Sequence, residues 1–223
     1  MWDPMYWLFI APALILGLWA QMRVRWTYST AQRMPAPLSG AAAARHILDS
    51  AGLNNVAIEM VPGHLSDHYD PRDKVLRLSE EVYQSRSLAA VGIAAHESGH
   101  ALQDARAYAP LVIRNAAVPI AGFGSGAGIW MAVFGAILSL PWLLWAGIIA
   151  FAGVVFFQVV NLPVEFNASS RAKAVLVDLG IINRDDLYYV KKVLNAAALT
   201  YVAATLQAIL TLLYLILRFG NRD

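Results

Sequence analysis

The sequence predicts a mainly α-helical integral membrane protein, with about four transmembrane helices and a small α+β domain outside the bilayer. The first observation is composition: 58% of the 223 residues are hydrophobic and only 14% are charged, far from the balance of a soluble domain. The second is where the excess sits. Pro4 to Met22, Asn115 to Val164 and Val193 to Leu217 carry no charge, and about 20 apolar residues span a bilayer, so these runs make one, two and one helices. The third is a change of character between Thr27 and Arg114, where charge, turn signals and amphipathic patterns return. A water-soluble bundle of buried helices is the competing reading, but a chain of this size lacks the surrounding mass to cover them.

The first span, residues 1–22, starts with Trp2, Tyr6 and Trp7, aromatic residues suited to an interfacial belt, and is followed by Arg23, Arg25 and Trp26. Because the positive charges follow the apolar run, it reads as a retained anchor rather than a cleaved signal, with its N-terminus outside. Residues 23–118 form the extramembrane domain. Pro35, Pro37, Ser39 and Gly40 mark a linker, and Ser39 caps a helix from Gly40 to about Ser50, ended by Gly52. Asn55 to Val61 alternates as a half-exposed strand, and Pro62-Gly63 breaks it. A second extended piece, Leu65 to Tyr69, leads through the turn Asp70-Pro71-Arg72-Asp73 to a strand over Lys74 to Leu78. Ser79, with Glu80 and Glu81, suits the start of a short helix. Ser85 or Ser87 then caps a helix running to about Ala105.

The long charge-free run divides at Pro141 into a hairpin over residues 119–162, in which Gly122, Gly124, Gly126 and Gly128 offer close helix approach. After Pro163 a polar helix runs to Leu179 and stops at Gly180, within a second extramembrane segment, residues 163–195. The last span covers 196–217. Of the Lys and Arg residues, ten lie between Arg23 and Arg114, five between Arg171 and Lys192, and two beyond Leu217. The hairpin returns the first two groups to one side, and the positive-inside rule makes that side the cytoplasm of a multi-pass protein of the cell (inner) membrane. Cysteine is absent, so a thiolate-held metal is excluded, and a net charge of +2 without basic clusters argues against nucleic acid.

Chemistry concentrates at Ala94-Ala-His-Glu-Ser-Gly-His-Ala101. On a helix His96 and His100 lie one turn apart on the same face and can offer two imidazoles to one metal ion, with Glu97 beside them as a base. The helix is amphipathic and charged at both ends, which places it in the extramembrane domain. Catalytic zinc takes three protein ligands and keeps one position open. With no cysteine, and with His46, His64 and His68 all upstream, Glu165 is the best third candidate, although an acidic residue also suits a helix start for electrostatic reasons alone.

Four stretches together carry a family resemblance: Ala95-His-Glu-Ser-Gly-His-Ala-Leu-Gln103, Asn161-Leu-Pro-Val-Glu-Phe-Asn-Ala-Ser169, Ser66-Asp-His-Tyr-Asp-Pro71 and Val193-Leu-Asn-Ala-Ala-Ala-Leu-Thr-Tyr-Val-Ala-Ala204. Over essentially its whole length the chain resembles the YugP-type membrane zinc peptidases, or neutral zinc metallopeptidases. More distantly it is similar to the heat-shock-type and prenyl-protein membrane proteases of the gluzincin class. The resemblance implies a zincin-like metalloprotease domain, one Zn2+ per chain held by His96, His100 and Glu165, and Glu97 as catalytic base. It implies peptide or protein substrates, membrane proteins among them. The family usually has Asp where this chain has Asn167, which retains a hydrogen-bonding oxygen without the charge. Asn167 and Ser169 are the candidates for supporting the ligands.

The reaction so implied is peptide hydrolysis by a zinc-activated water. Tyr201, His68 and Tyr69 are candidate donors to the developing oxyanion. Tyr69 to Leu78, with Tyr69, Asp70, Lys74, Val75 and Leu76 foremost, is the candidate strand edge for binding substrate backbone, as in the gluzincins; an ordinary structural hairpin is the alternative. Two rival functions stay open. One is a metal-binding membrane scaffold with little or no catalysis, against which the intact Glu97 argues. The other is an intramembrane site-two protease, whose Leu-Asp-Gly companion motif is missing, since Leu179 and Gly180 have no Asp between them.

Overall fold

The computed structural model describes residues 3–220, so Trp2 of the expected aromatic belt lies outside the described residues. In chain order the elements are α1 (Pro4–Gln32), α2 (Gly40–Ser50), β1 (Ala57–Val61), β2 (His68–Asp70), β3 (Val75–Ser79), α3 (Glu80–Gln84), α4 (Leu88–Ala105), α5 (Ala109–Phe123), α6 (Ile129–Ile137), α7 (Pro141–Asp178) and α8 (Leu187–Phe219). A π-helical turn, Gly124–Gly128, joins α5 to α6. Four helical stretches, Pro4–Gln32, Ala109–Ile137, Pro141–Asp178 and Leu187–Phe219, are long and apolar enough to cross a membrane. The protein is thus mainly α-helical, with one small sheet. It divides into two compact units, Met1–Ala20 with Ala109–Pro163 and Leu199–Asp223, and Gln21–Tyr108 with Val164–Ala198.

Among the described residues the first unit contains helices and turns but no strand. Of the four glycines expected to permit close packing, two do so: a Cβ on Gly124 would lie 2.2 Å from the Ala150 carbonyl oxygen, and one on Gly128 2.9 Å from Ala150 Cβ, whereas Gly122 and Gly126 face open space. Spaced four apart, Gly124 and Gly128 share a helix face, the pattern by which backbones approach where lipid gives no hydrophobic drive. At the other end of the chain Asp3 accepts hydrogen bonds from Tyr214 Oη at 2.6 Å and Arg218 Nε at 3.3 Å. These tie the start of α1 to the end of α8.

The second unit holds the sheet. Ser39 Oγ accepts from Ala42 N and so caps α2, and Gly52 follows with φ +74, as the cap and stop residues require. The sheet order is β1-β3-β2, with β1 parallel to β3 and β2 antiparallel to it. Leu76 and Leu78 of β3 are fully buried with Ala44, Leu48, Val82, Ala90 and Ala94, which seats the sheet against α2 and α4. A second apolar cluster joins Ile47, Val91, Ala95 and Leu102 to Leu176, Val190 and Leu194, packing α4 against the distal part of α7 and the start of α8.

Several elements differ from the sequence reading. Ser79 does not cap α3, because its hydroxyl binds the Asp67 carboxylate at 3.0 Å; Ser87 is the cap of α4, accepting from Ala90 N at 3.2 Å. The second apolar helix begins at Ala109, with Pro119 inside it, rather than at residue 119. Pro163 does not separate two helices: α7 is continuous through it, since one missing N–H is tolerated where the surrounding helix is otherwise bonded. Consequently Glu165 lies inside a helix and not at its start, which removes the electrostatic helix-start explanation for its presence. Val75 and Leu76 lie in the central strand, paired on both sides, so neither can offer a free edge. Lys74 precedes that strand at φ 55, and of the proposed edge only β2 remains unpaired on one side.

Candidate metal centre

The centre is assembled where α4 crosses α7 within the second unit. Gly99, between the two histidines, permits the crossing: a Cβ there would meet the Ala168 carbonyl oxygen at 2.8 Å, closer than real contacts allow. With the backbones this near, Glu165 reaches the histidine face. His96 Nε2 lies 3.2 Å and His100 Nε2 3.6 Å from Glu165 Oε2, and the ligand-type atoms of the three residues all fall within 4.8 Å of one another. Glu165 and His100 are buried and His96 is partly so.

The opposite ring nitrogens are also engaged. His96 Nδ1 is 3.1 Å from Ser169 Oγ, and His100 Nδ1 is 3.0 Å from Gln103 Oε1. Gln103, fully buried, donates its Nε2 to the Val164 carbonyl at 2.8 Å and to Asn167 Oδ1 at 3.1 Å, and Arg171 Nε donates to the same Asn167 oxygen at 2.7 Å. One stretch of α7, Val164 to Ser169, therefore presents Glu165 and supports both imidazoles. Ser169 meets a histidine directly, whereas Asn167 acts through Gln103. Gln103 has no site role in the sequence reading; a polar side chain three positions after a candidate ligand, on the buried side of the helix, is the signal that marks it.

Glu97 sits beside the histidines, partly buried. Burial pushes its carboxyl pKa up, against the opposing pull of His96 and His100. Burial works to lower the pKa of His100, yet a hydrogen bond accepted by the Glu165 carboxylate and the charges of Glu97 and Glu165 hold it above the usual histidine value. A carboxyl inclined to take a proton next to two imidazoles and a second carboxylate suits proton transfer at a metal centre.

The remaining candidates are placed differently. Tyr69 Oη donates to Asp104 Oδ2 at 2.8 Å, and Lys74 Nζ binds the same oxygen. This links the β2–β3 turn to the last turn of α4. Burial, ahead of the Asp104 bond, pushes the Tyr69 phenol well above its usual range. His68 Nδ1 lies 2.8 Å from the Ser66 carbonyl, which can only accept, so Nδ1 is the donor. The Tyr69 hydroxyl is thus engaged by Asp104 and the His68 Nδ1 by Ser66. Asp70 serves the turn: its carboxylate accepts from the Arg72 backbone and side chain and from Arg77. Tyr201 lies on α8 in the other unit, where its carbonyl accepts from Thr205 Oγ1.

The donor set fits zinc. Bonds of 2.0–2.2 Å to a tetrahedral ion separate its ligands by about 3.3–3.6 Å, close to the two carboxylate–imidazole separations found, and each histidine has its second nitrogen occupied elsewhere. Apolar helices of membrane-spanning length together with this His-Glu-x-x-His and Glu constellation define a membrane metalloprotease class. The chain belongs to the neutral zinc metallopeptidase family: the family described as "Putative neutral zinc metallopeptidase" matches residues 6–220. It is 46% identical over 211 residues, 94% of each chain, to "Putative membrane protease YugP" of Bacillus subtilis (strain 168). No solved structure matches it.

Proposed function

We propose that the protein hydrolyses peptide bonds at a single zinc ion held by His96, His100 and Glu165, with Glu97 as general base. The observation that carries this reading is the convergence of both Nε2 atoms on the Glu165 carboxylate beside a raised-pKa Glu97. A zinc ion in that position would acidify a water towards a pKa of about 7 and polarise the scissile carbonyl. Glu97 takes the proton of that water and passes it to the departing amine, a task that favours a carboxyl with a pKa above the ordinary. Ser169 and Gln103 hold the imidazoles in place. An extended substrate pairs with the open side of β2, His68–Asp70, which supplies backbone bonds with little side-chain selectivity.

The active site faces the cytoplasm of a multi-pass protein in this reading, because most of the Lys and Arg residues lie between Arg23 and Arg114 and between Arg171 and Lys192. The scaffold reading is disfavoured by Glu97, since a purely structural zinc site has no use for a base. The test is zinc stoichiometry of the purified protein in detergent together with hydrolysis of a casein-type substrate. One zinc per chain, and cleavage lost on chelation and restored by zinc, is expected. Metal-free protein that still cleaves would overturn the proposal.

A further inference from the structure

Gln103 is the residue that links the two helices of the centre most completely, and its bonds admit only one assignment. The Val164 carbonyl oxygen accepts and cannot donate, so the Gln103 atom 2.8 Å from it must be the amide NH2. The neighbouring Asn167 atom, which also faces Arg171 Nε at 2.7 Å, must be its oxygen, because a guanidinium donates only. Both amide protons of Gln103 are then used. The other end of the side chain is an oxygen with no proton to give, and the His100 Nδ1 that lies 3.0 Å from it must carry the hydrogen. That leaves Nε2 of a neutral His100 as a bare lone pair on the side of Glu165.

We propose that Gln103 is a positioning residue that fixes His100 in its Nδ1–H tautomer and so prepares Nε2 to bind the metal. The chain of dependence runs from Arg171 through Asn167 and Gln103 to His100, and every member except His100 is set by a group that can play one role only. The Nδ1 side of His96 has no such lock, because Ser169 Oγ can donate or accept. The position of Asn167 requires an acceptor facing Gln103 and Arg171, and an amide oxygen meets that need without a charge. Ligand-orienting partners of this kind typically change metal affinity by about 10–100-fold when removed.

The inference rests on His100 being a zinc ligand, and two measurements separate its failure from that of the zinc reading. The first needs no metal: nitrogen NMR of the imidazoles in zinc-free protein, at a pH well above the ring's titration. The proposal expects the Nδ1–H signature for His100; the Nε2–H signature overturns it whether or not the protein binds zinc. The second is zinc affinity by chelator competition for wild type, Gln103→Leu and Ser98→Ala. Ser98 is equally buried on α4, but its hydroxyl donates to the Ala94 carbonyl of its own helix. Affinity should fall about 10–100-fold in Gln103→Leu and hold in Ser98→Ala. Equal affinity in all three proteins, or an equal loss in both variants, overturns the proposal. Wild type that binds no zinc instead refutes the zinc reading and leaves the tautomer measurement to decide.

Discussion

His96 Nε2 and Glu165 Oε2 stand 3.2 Å apart although 69 positions separate them in the chain. Two imidazoles and a carboxylate this close, with no lysine or arginine among their hydrogen-bond partners in the described residues, form a set that a dication would stabilise. Glu165→Ala should therefore lower zinc content well below one per chain while the helical far-UV signal is unchanged. Full zinc retention by that variant contradicts the ligand assignment.

The crossing of α4 and α7 at Gly99 makes that proximity possible. Gly99→Ala would drive a methyl group against the Ala168 carbonyl, 2.8 Å away, and backbone has little freedom to yield. The substitution should cost about 1–3 kcal/mol of stability, as overpacking does, and should weaken zinc binding by spreading Glu165 from the histidines. Thermal unfolding with and without zinc checks both effects. A variant with unchanged melting and zinc affinity would show that the crossing tolerates the extra carbon.

Asp70 gives a pH-dependent expectation away from the metal. The Arg72 side chain and backbone, with Arg77 nearby, hold its carboxyl well below the usual range. A depressed carboxyl contributes stability that is fully present above its unfolded pKa of about 4 and is lost as pH falls through the lower folded value. Asp70→Asn should thus destabilise the second unit at neutral pH, by an amount that shrinks in strong acid. Chemical denaturation of both proteins at several pH values, followed by tryptophan fluorescence, reads the difference. A gap that widened towards acid would reverse the sign of this account.

Orientation in the membrane is accessible because the chain has no cysteine of its own. Leu138 is exposed in the turn between α6 and α7. Leu138→Cys in intact cells should react with an impermeant thiol reagent from outside. Reaction only after the membrane is opened would put the metal centre on the other side.

Much of this was legible in the sequence because the deciding signals are local. The spacing of His96 and His100, the caps Ser39 and Ser87, the stop at Gly52 and the charge-free runs each depend on a few adjacent residues. What escaped depends on distant partners. Pro163 reads as a break, yet α7 passes through it, because a membrane-type helix of this length keeps its shape with one bond missing. Strand order is not written in alternation, so nothing in Lys74 to Leu78 disclosed that β3 is central. Ser79 resembles a helix cap until Asp67, twelve residues upstream, claims its hydroxyl. Gln103 was invisible for the same reason: its role is defined by Val164 and Asn167, which only the crossing of two helices brings within reach.

Glu97 bears the central claim, since it separates an enzyme from a protein that merely binds zinc. Glu97→Gln keeps the shape of the side chain and removes its ability to take a proton. The decisive measurement is the rate of peptide hydrolysis by this variant beside its zinc content. A loss of at least about 100-fold in rate, with one zinc per chain retained, is the predicted result. Hydrolysis at the wild-type rate by the zinc-loaded variant would contradict the account.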